Sequence, residues 1–240
     1  MDFSQEELFE VIDRLVNGLL ERAGVSQPPV NALLLAENHL GIPVEVIEPV
    51  EEDERGRPRP RTRPSGSGIF LAPDMTEEQI QKTAADGIGR ALLPEIFRKL
   101  NVKPGLDDKQ LSSHIRGLMI PRLLVPNRLL RMALKECRFD VLALKRVFST
   151  ATTEMIALRL LDLDEPCVIA IIDDGIVATR RGNRLAASKK LEAAEQTCLD
   201  RIMELDLPQR VRAGEWTVHG WPVPDRPFRR IILRAVPDDI

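Results

Sequence analysis

The chain has 240 residues, 43% of them hydrophobic and 30% charged, with a formal net charge of −3. These are ordinary values for a folded protein, enough for one substantial domain with an appendage or for two small ones, and nothing in the overall charge points to a nucleic-acid protein. No apolar run is long enough to span a bilayer. The opening MDFSQEELFE is acidic and lacks the basic and apolar parts of a signal peptide, so a cytoplasmic protein with no membrane partner is expected. Cys137, Cys167 and Cys198 lie far apart without metal-binding spacing and read as reduced, buried thiols.

In chain order, residues 4 to 23 form an amphipathic helix, with Ser4 and Glu7 as a capping box, Leu8, Ile12, Leu15 and Leu19 as its stripe, and Gly24 as its stop. A turn at Pro28-Pro29 precedes a second helix from Val30 to Leu40, ended by Gly41, and a strand from Pro43 to Ile47. Residues 49 to 68 are an acidic run followed by alternating Arg and Pro, then Gly and Ser. They read as a mobile loop, whose arginines at 55, 57, 59, 61 and 63 are a solvated linker rather than a phosphate-binding patch, because no aromatic residue is interleaved to stack on bases. Ile69, Phe70 and Leu71 form a short strand.

Thr76 to Leu100 is expected to be a long helix near the middle of the fold, capped by Thr76 and Gln79, with Ile80, Ala84, Ile88, Ala91, Leu92 and Ile96 on its apolar face. Pro94 should kink it. A helix with Leu111, Ile115, Leu118 and Met119 follows and runs into Pro121, and a further helix from Asn127 to Cys137 turns Leu129, Leu130 and Ala133 inward and Arg128, Arg131 and Lys135 outward. Short helices from Val141 to Phe148 and Thr153 to Leu161 look superficially like a helix-turn-helix. The second offers mainly Thr152, Thr153, Glu154 and Arg159 as polar side chains, so packing is the better reading. Beyond Pro166 come strands at Val168–Ile172 and Ile176–Thr179 around an Asp174-Gly175 hairpin turn, a helix from Leu185 to Leu205, and strands at Glu215–His219 and Arg230–Val236. Trp216, Trp221 and His219 are expected near one another.

Within the long helix, Ala85-Asp86-Gly87-Ile88-Gly89-Arg90-Ala91-Leu92-Leu93-Pro94 resembles the zinc-binding helix of ImmA/IrrE-type metallopeptidases, an AHEIGHALLP-like run. The helix–helix–strand opening and the Leu123-Leu124-Val125-Pro126 segment are similar to the same family. The resemblance covers about residues 5 to 180 and implies an α+β fold: a mostly helical zincin-like core with a small sheet over residues 1–165, including the loop 49–68. A small antiparallel α+β unit, residues 166–240, would follow. It also implies a cleft suited to a protein partner, since active members cut helix-turn-helix repressors, and an edge strand, Ile69, Phe70 and Leu71, that holds an extended peptide.

The chemistry of the family departs at every defining position. The two His and the Glu of HExxH fall on Asp86, Arg90 and Gly87, and the third ligand, a Glu, falls on Ser113, with the family's Ala-Asn pair on Arg116-Gly117. A zinc peptidase needs three ligands and a base; Gly87 offers no side chain, and Arg90 brings a permanent positive charge to the metal position. Asp86 and Arg90 are instead an i,i+4 pair in the favourable order and are expected to pair where a metal would sit. His39, His114 and His219 are dispersed. No catalytic residues, metal or cofactor are therefore expected, and the degenerate positions are Asp86, Gly87, Arg90 and Ser113. Three functions follow: a non-catalytic, protein-binding regulator in repressor control or stress response; a DNA-associated regulator using the Arg-rich loop and the helices at 140–161; and a hydrolase with an unorthodox metal site from Asp86, His114 and Glu95.

Overall fold

The computed structural model describes residues 3–47, 49–52, 58–60, 68–102, 108–224 and 227–238. The chain is α+β, with helices α1 (Gln5–Arg22), α2 (Ala32–Leu40), α3 (Glu77–Lys99), α4 (Asp108–Leu124), α5 (Asn127–Cys137), α6 (Val141–Val147), α7 (Thr153–Arg159) and α8 (Ala193–Leu205). It divides into two compact units, one of residues 1–132 and 147–151, the other of residues 133–146 and 152–240. The sequence reading set the junction at 165/166; in the structure residues 141–146 of α6 and all of α7 fall in the second unit.

In the first unit α3 packs against α1, α2 and α4 and against the strand β4 (Ile69–Leu71). Both expected capping boxes are present, at Ser4–Glu7 and at Thr76–Gln79. The α3 helix runs through Pro94, and α4 through Pro121. Its buried residues are Gln81, Ala84, Ala85, Gly87, Ile88, Gly89, Leu92, Ile96 and Phe97, a wider surface than a single stripe, while Ala91 is exposed. Gln81, also buried, accepts a hydrogen bond from the Ala32 N–H at 2.6 Å and donates to Asn31 and Glu77, tying the start of α2 to α3. Strand β1 (Val44–Val46) pairs parallel with β4, Val44 opposite Ile69.

Within the stretch read as a mobile loop, Pro49–Glu52 (β2) and Pro58–Pro60 (β3) pair antiparallel with Glu51 opposite Arg59. A search for alternating hydrophobicity misses this ribbon. The rest of that loop, including the arginines at 55, 57, 61 and 63, lies outside the described residues.

The second unit is built on a five-stranded antiparallel sheet in the order β6-β5-β9-β8-β7: β5 (Cys167–Asp173), β6 (Ile176–Asn183), β7 (Gln209–Ala213), β8 (Trp216–Val223) and β9 (Arg230–Pro237). The Asp174-Gly175 turn forms as expected, both residues at positive φ. Alternation divides each strand between two faces. Val168, Ala170, Ile172, Val218, Ile231, Leu233 and Ala235 face α8, meeting Cys198, Leu199 and Ile202. At Gly220 a Cβ would stand 2.3 Å from the Ile202 side chain, so glycine is what lets α8 lie this close. Cys198 is buried in this layer, and burial pushes its thiol pKa up to about 11. On the other face Ile169, Ile171, Ile232 and Trp221 are buried, and α7 packs against β5 and β9. Trp216 packs toward α8, whereas His219 and Trp221, at odd positions of β8, lie on the opposite face with ring centroids 6.1 Å apart. The expected cluster of three is split because β8 runs on through Val223 and its side chains alternate.

Helix α8 begins at Ala193 and not at Leu185. Residues 184–192 form a loop held by one buried ion pair: Arg180 Nε and Nη2 reach Glu195 at 3.0–3.1 Å, and Arg180 Nη1 donates to the Ser188 carbonyl at 2.8 Å. The Glu195 carboxylate also accepts from the Glu192 N–H, closing the helix start. Both side chains are about fully buried, 2% and 1% exposed.

Breaking a buried pair leaves one uncompensated charge or donor, so Glu195→Gln should lower unfolding free energy by about 3–5 kcal/mol, read by urea denaturation. The His219 imidazole is pushed below its usual pKa by burial first, then by the Arg210 and Arg234 charges, against a smaller opposing pull from Asp140. Arg210 and Arg234 are its cross-strand neighbours on β7 and β9. The unfolded chain therefore takes up this proton first as pH falls. The contribution is full above about pH 6.5 and is lost as pH drops through the lower folded pKa. The urea midpoint is expected to fall between about pH 7.5 and about pH 5, and His219→Gln should flatten part of that fall.

Candidate functional site

Helix α3 carries Asp86, Gly87 and Arg90 toward β4 and α4. Arg90 Nε lies 3.5 Å from Asp86 Oδ2, so the i,i+4 pair forms on one helix face. It is the weaker of two contacts. Arg116 Nη1 of α4 donates to both Asp86 oxygens, at 2.6 and 2.7 Å. The three side chains are partly open, Asp86 32%, Arg90 41% and Arg116 25% exposed, so solvent screening keeps the pairs' stabilisation to about 0–1 kcal/mol each.

Ser113, the expected third position, is exposed, as is His114 beside it. The α4 residue that meets Asp86 is Arg116, three positions further on. Packing brings it there and the sequence does not mark it: Arg116 adjoins the buried Ile115, and its stem lies across Gly89, where a Cβ would come within 3.3 Å of Arg116 Cγ. Small residues at 87 and 89 mark the turns of α3 that neighbours approach closely.

Gly87 has a second reason to be glycine. A Cβ there would stand 2.4 Å from Ile69 Cγ1 and 2.9 Å from Cδ1, because the Ile69 side chain of β4 fills that space. The place where the resemblance would put a general base is thus occupied by a strand side chain.

The residues present do not fit the zinc that the resemblance implies. The one carboxylate at the site is held by two guanidinium groups, which bring fixed positive charge to the spot where a dication would have to be received. Among the described residues no group of three or more His, Cys, Asp or Glu is placed to hold a metal ion, so Asp86, His114 and Glu95 do not converge. Glu95 pairs instead with Arg98 and Lys99, each at 3.8 Å.

The Ile69–Leu71 edge is directly connected to this cluster. The Ile69 N–H donates to the Pro43 carbonyl, and the Ile47 N–H to the Leu71 carbonyl. Both bonds point toward β1. Because the peptide planes are trans, the Gly68 carbonyl and the Phe70 N–H point the other way. Arg90 Nη2 donates to that Gly68 carbonyl at 3.4 Å.

The helix-turn-helix-like segment is spent on packing. Thr153 and Arg159 of α7 are buried, Arg159 pairs with Asp162, and Glu154 pairs with Arg230, which also grips Asp173 at 2.6 and 2.7 Å. The second unit holds a cleft of about 590 Å³ beside Pro222, Pro224, Pro227 and Phe228. Its charged lining groups Asp174, Asp206, Arg229 and Arg230 are all engaged in hydrogen bonds or ion pairs within the unit.

No family model matches the chain, and no curated protein matches it. Among solved structures, a Mycobacterium tuberculosis transcriptional regulator is similar, with TM-score 0.63 and 14% sequence identity, over 94% of this chain and 75% of that one. The likeness is one of fold. No helix among the described residues is long and apolar enough to cross a membrane.

Adding a methyl at Gly87 forces β4 and α3 apart. Gly87→Ala should cost about 1–3 kcal/mol by urea denaturation, and Ile69→Ala in that background, which removes both clashing carbons, should recover part of the loss, whereas Ile69→Ala alone should destabilise.

Proposed function

We propose that the chain is a non-catalytic relative of ImmA/IrrE-type peptidases that acts as a regulatory protein by binding another protein, with a helix-turn-helix regulator or a stress-response component as the expected kind of partner. The observation that carries this is the state of the former catalytic positions: Asp86 is held by Arg116 and Arg90, and Ile69 fills the space above Gly87. A site filled in this way keeps a helix, a facing helix and an adjacent strand while lacking a nucleophile-activating base. The Phe70 N–H, directed away from β1, offers a partner a backbone bond. That a protein of similar fold is described as a transcriptional regulator is consistent with a regulatory setting.

A second reading, a DNA-associated regulator, draws on that same description and on the exposed Arg128, Arg131 and Lys135, which recur at helical spacing along α5. It ranks below the first because the α7 side chains that would read bases are buried or paired.

Affinity capture with quantitative proteomics separates the two. Partners specific to the wild-type chain should fall about tenfold or more with Phe70→Pro, which deletes the outward N–H, and should tolerate about 0.3 M salt. Partners unchanged by Phe70→Pro together with Arg90→Gln would overturn the first reading, and salt-sensitive retention on duplex DNA, reduced by Arg131→Gln and Lys135→Gln, would install the second.

A further inference from the structure

Among the described residues β4 pairs with β1 alone, and the guanidinium of Arg90 stands on its other, open side, where it meets the Gly68 carbonyl turned away from β1. Its charge is not spent there. Both Asp86 oxygens are taken by Arg116 at 2.6 and 2.7 Å, and Arg90 reaches the same carboxylate only through Nε at 3.5 Å. Two cations thus share one anion, and the remainder is a single positive charge. A guanidinium has five N–H donors; among the described residues Arg90 donates one hydrogen bond, at 3.4 Å, to Gly68 and meets Asp86 as an ion pair at 3.5 Å. Arg116 is the less exposed of the two and its stem is fixed against Gly89, so Arg90 is the group left to face a newcomer.

Two features of this surface define what it can receive. The Phe70 N–H can pair with an extended backbone. The surplus of one positive charge, partly sheltered from solvent, is matched by one carboxylate, which can take two parallel bonds from a guanidinium. A phosphate, carrying nearly two charges, would overshoot that surplus beside Asp86. Resting on the reading of this region as a protein-binding surface, we propose that the open side of β4 takes an extended segment of a protein partner, its backbone pairing at Phe70 and an Asp or Glu side chain received by Arg90. Arg116 is then a positioning residue: it occupies Asp86 so that Arg90 stays available.

The probe is a library of short random peptides displayed on phage and panned against the full chain and against Arg90→Gln and Arg90→Lys. Arg90 is 41% exposed, so both variants should keep the wild-type urea midpoint. The expected result is an Asp or Glu at one fixed position among peptides enriched by the wild-type chain, retained with Arg90→Lys and lost with Arg90→Gln. A synthetic copy of an enriched peptide should bind about tenfold more weakly when that acid becomes Asn or Gln. Replacing it by phosphoserine should also weaken binding. Enriched peptides without an acidic position, or with one that persists in Arg90→Gln, overturn the proposal and leave the protein-binding reading intact. The absence of any enriched peptide overturns it too, and the Phe70→Pro capture measurement then decides separately whether the surface binds protein.

Discussion

The first unit depends on how closely other elements approach the middle of α3. Gly87 admits the Ile69 side chain of β4, and Gly89 admits the stem of Arg116 from α4, each at a distance that an added methyl would violate. With Ala84, Ala85 and Ile88 buried in the same turns, α3 is covered on several sides. The helix is central because its middle residues are small, and packing of that kind returns many weak dispersion contacts in place of a few large side chains. The close approach of α4 is also what delivers Arg116 to Asp86.

That delivery changes the meaning of the site. A carboxylate on one helix facing a second helix and flanked by a short strand is a frame in which metal chemistry can be built. Here the facing residue is a guanidinium, so the carboxylate is neutralised by protein charge. The same arrangement that disfavours a dication leaves Arg90 partly unused on the open side of β4. Both effects come from the placement of Arg116 against Asp86.

The second unit meets the same problem differently. Its sheet is covered on both faces, by α8 and by α7, and several arginines are drawn inside. Arg180 is satisfied by Glu195 and the Ser188 carbonyl, and Arg230 by Asp173 and Glu154. Arg234 Cζ lies over the Phe139 ring, 3.8 Å from its centre; among the described residues its Nε has no hydrogen-bond partner, and burial lowers its pKa. Buried charges of this kind cost desolvation, and their partners must be held accurately to offset it. In this unit that requirement orders the loop before α8 and pins α7 to the sheet.

Local chemistry made much of this legible in advance. The capping boxes at Ser4 and Thr76, the glycine stop at Gly41, the Asp174-Gly175 turn and the apolar spacing of α1 and α3 act over a few residues, so the sequence alone determined those elements and the α+β class. The Asp86–Arg90 pair was readable for the same reason, four residues apart on one helix. Arg116 was not, since 30 residues separate it from Asp86 and only the packing of α4 across Gly89 brings it there. The start of α8 at Ala193 escaped because residues 185–192 have good helical composition, and Arg180, from a neighbouring strand, takes the Ser188 carbonyl and Glu195. The division of Trp216 from His219 and Trp221 needed the full length of β8, which Pro222 obscured. What only the tertiary structure decided are the contacts between elements, because close approach and charge pairing depend on where distant backbones come to rest.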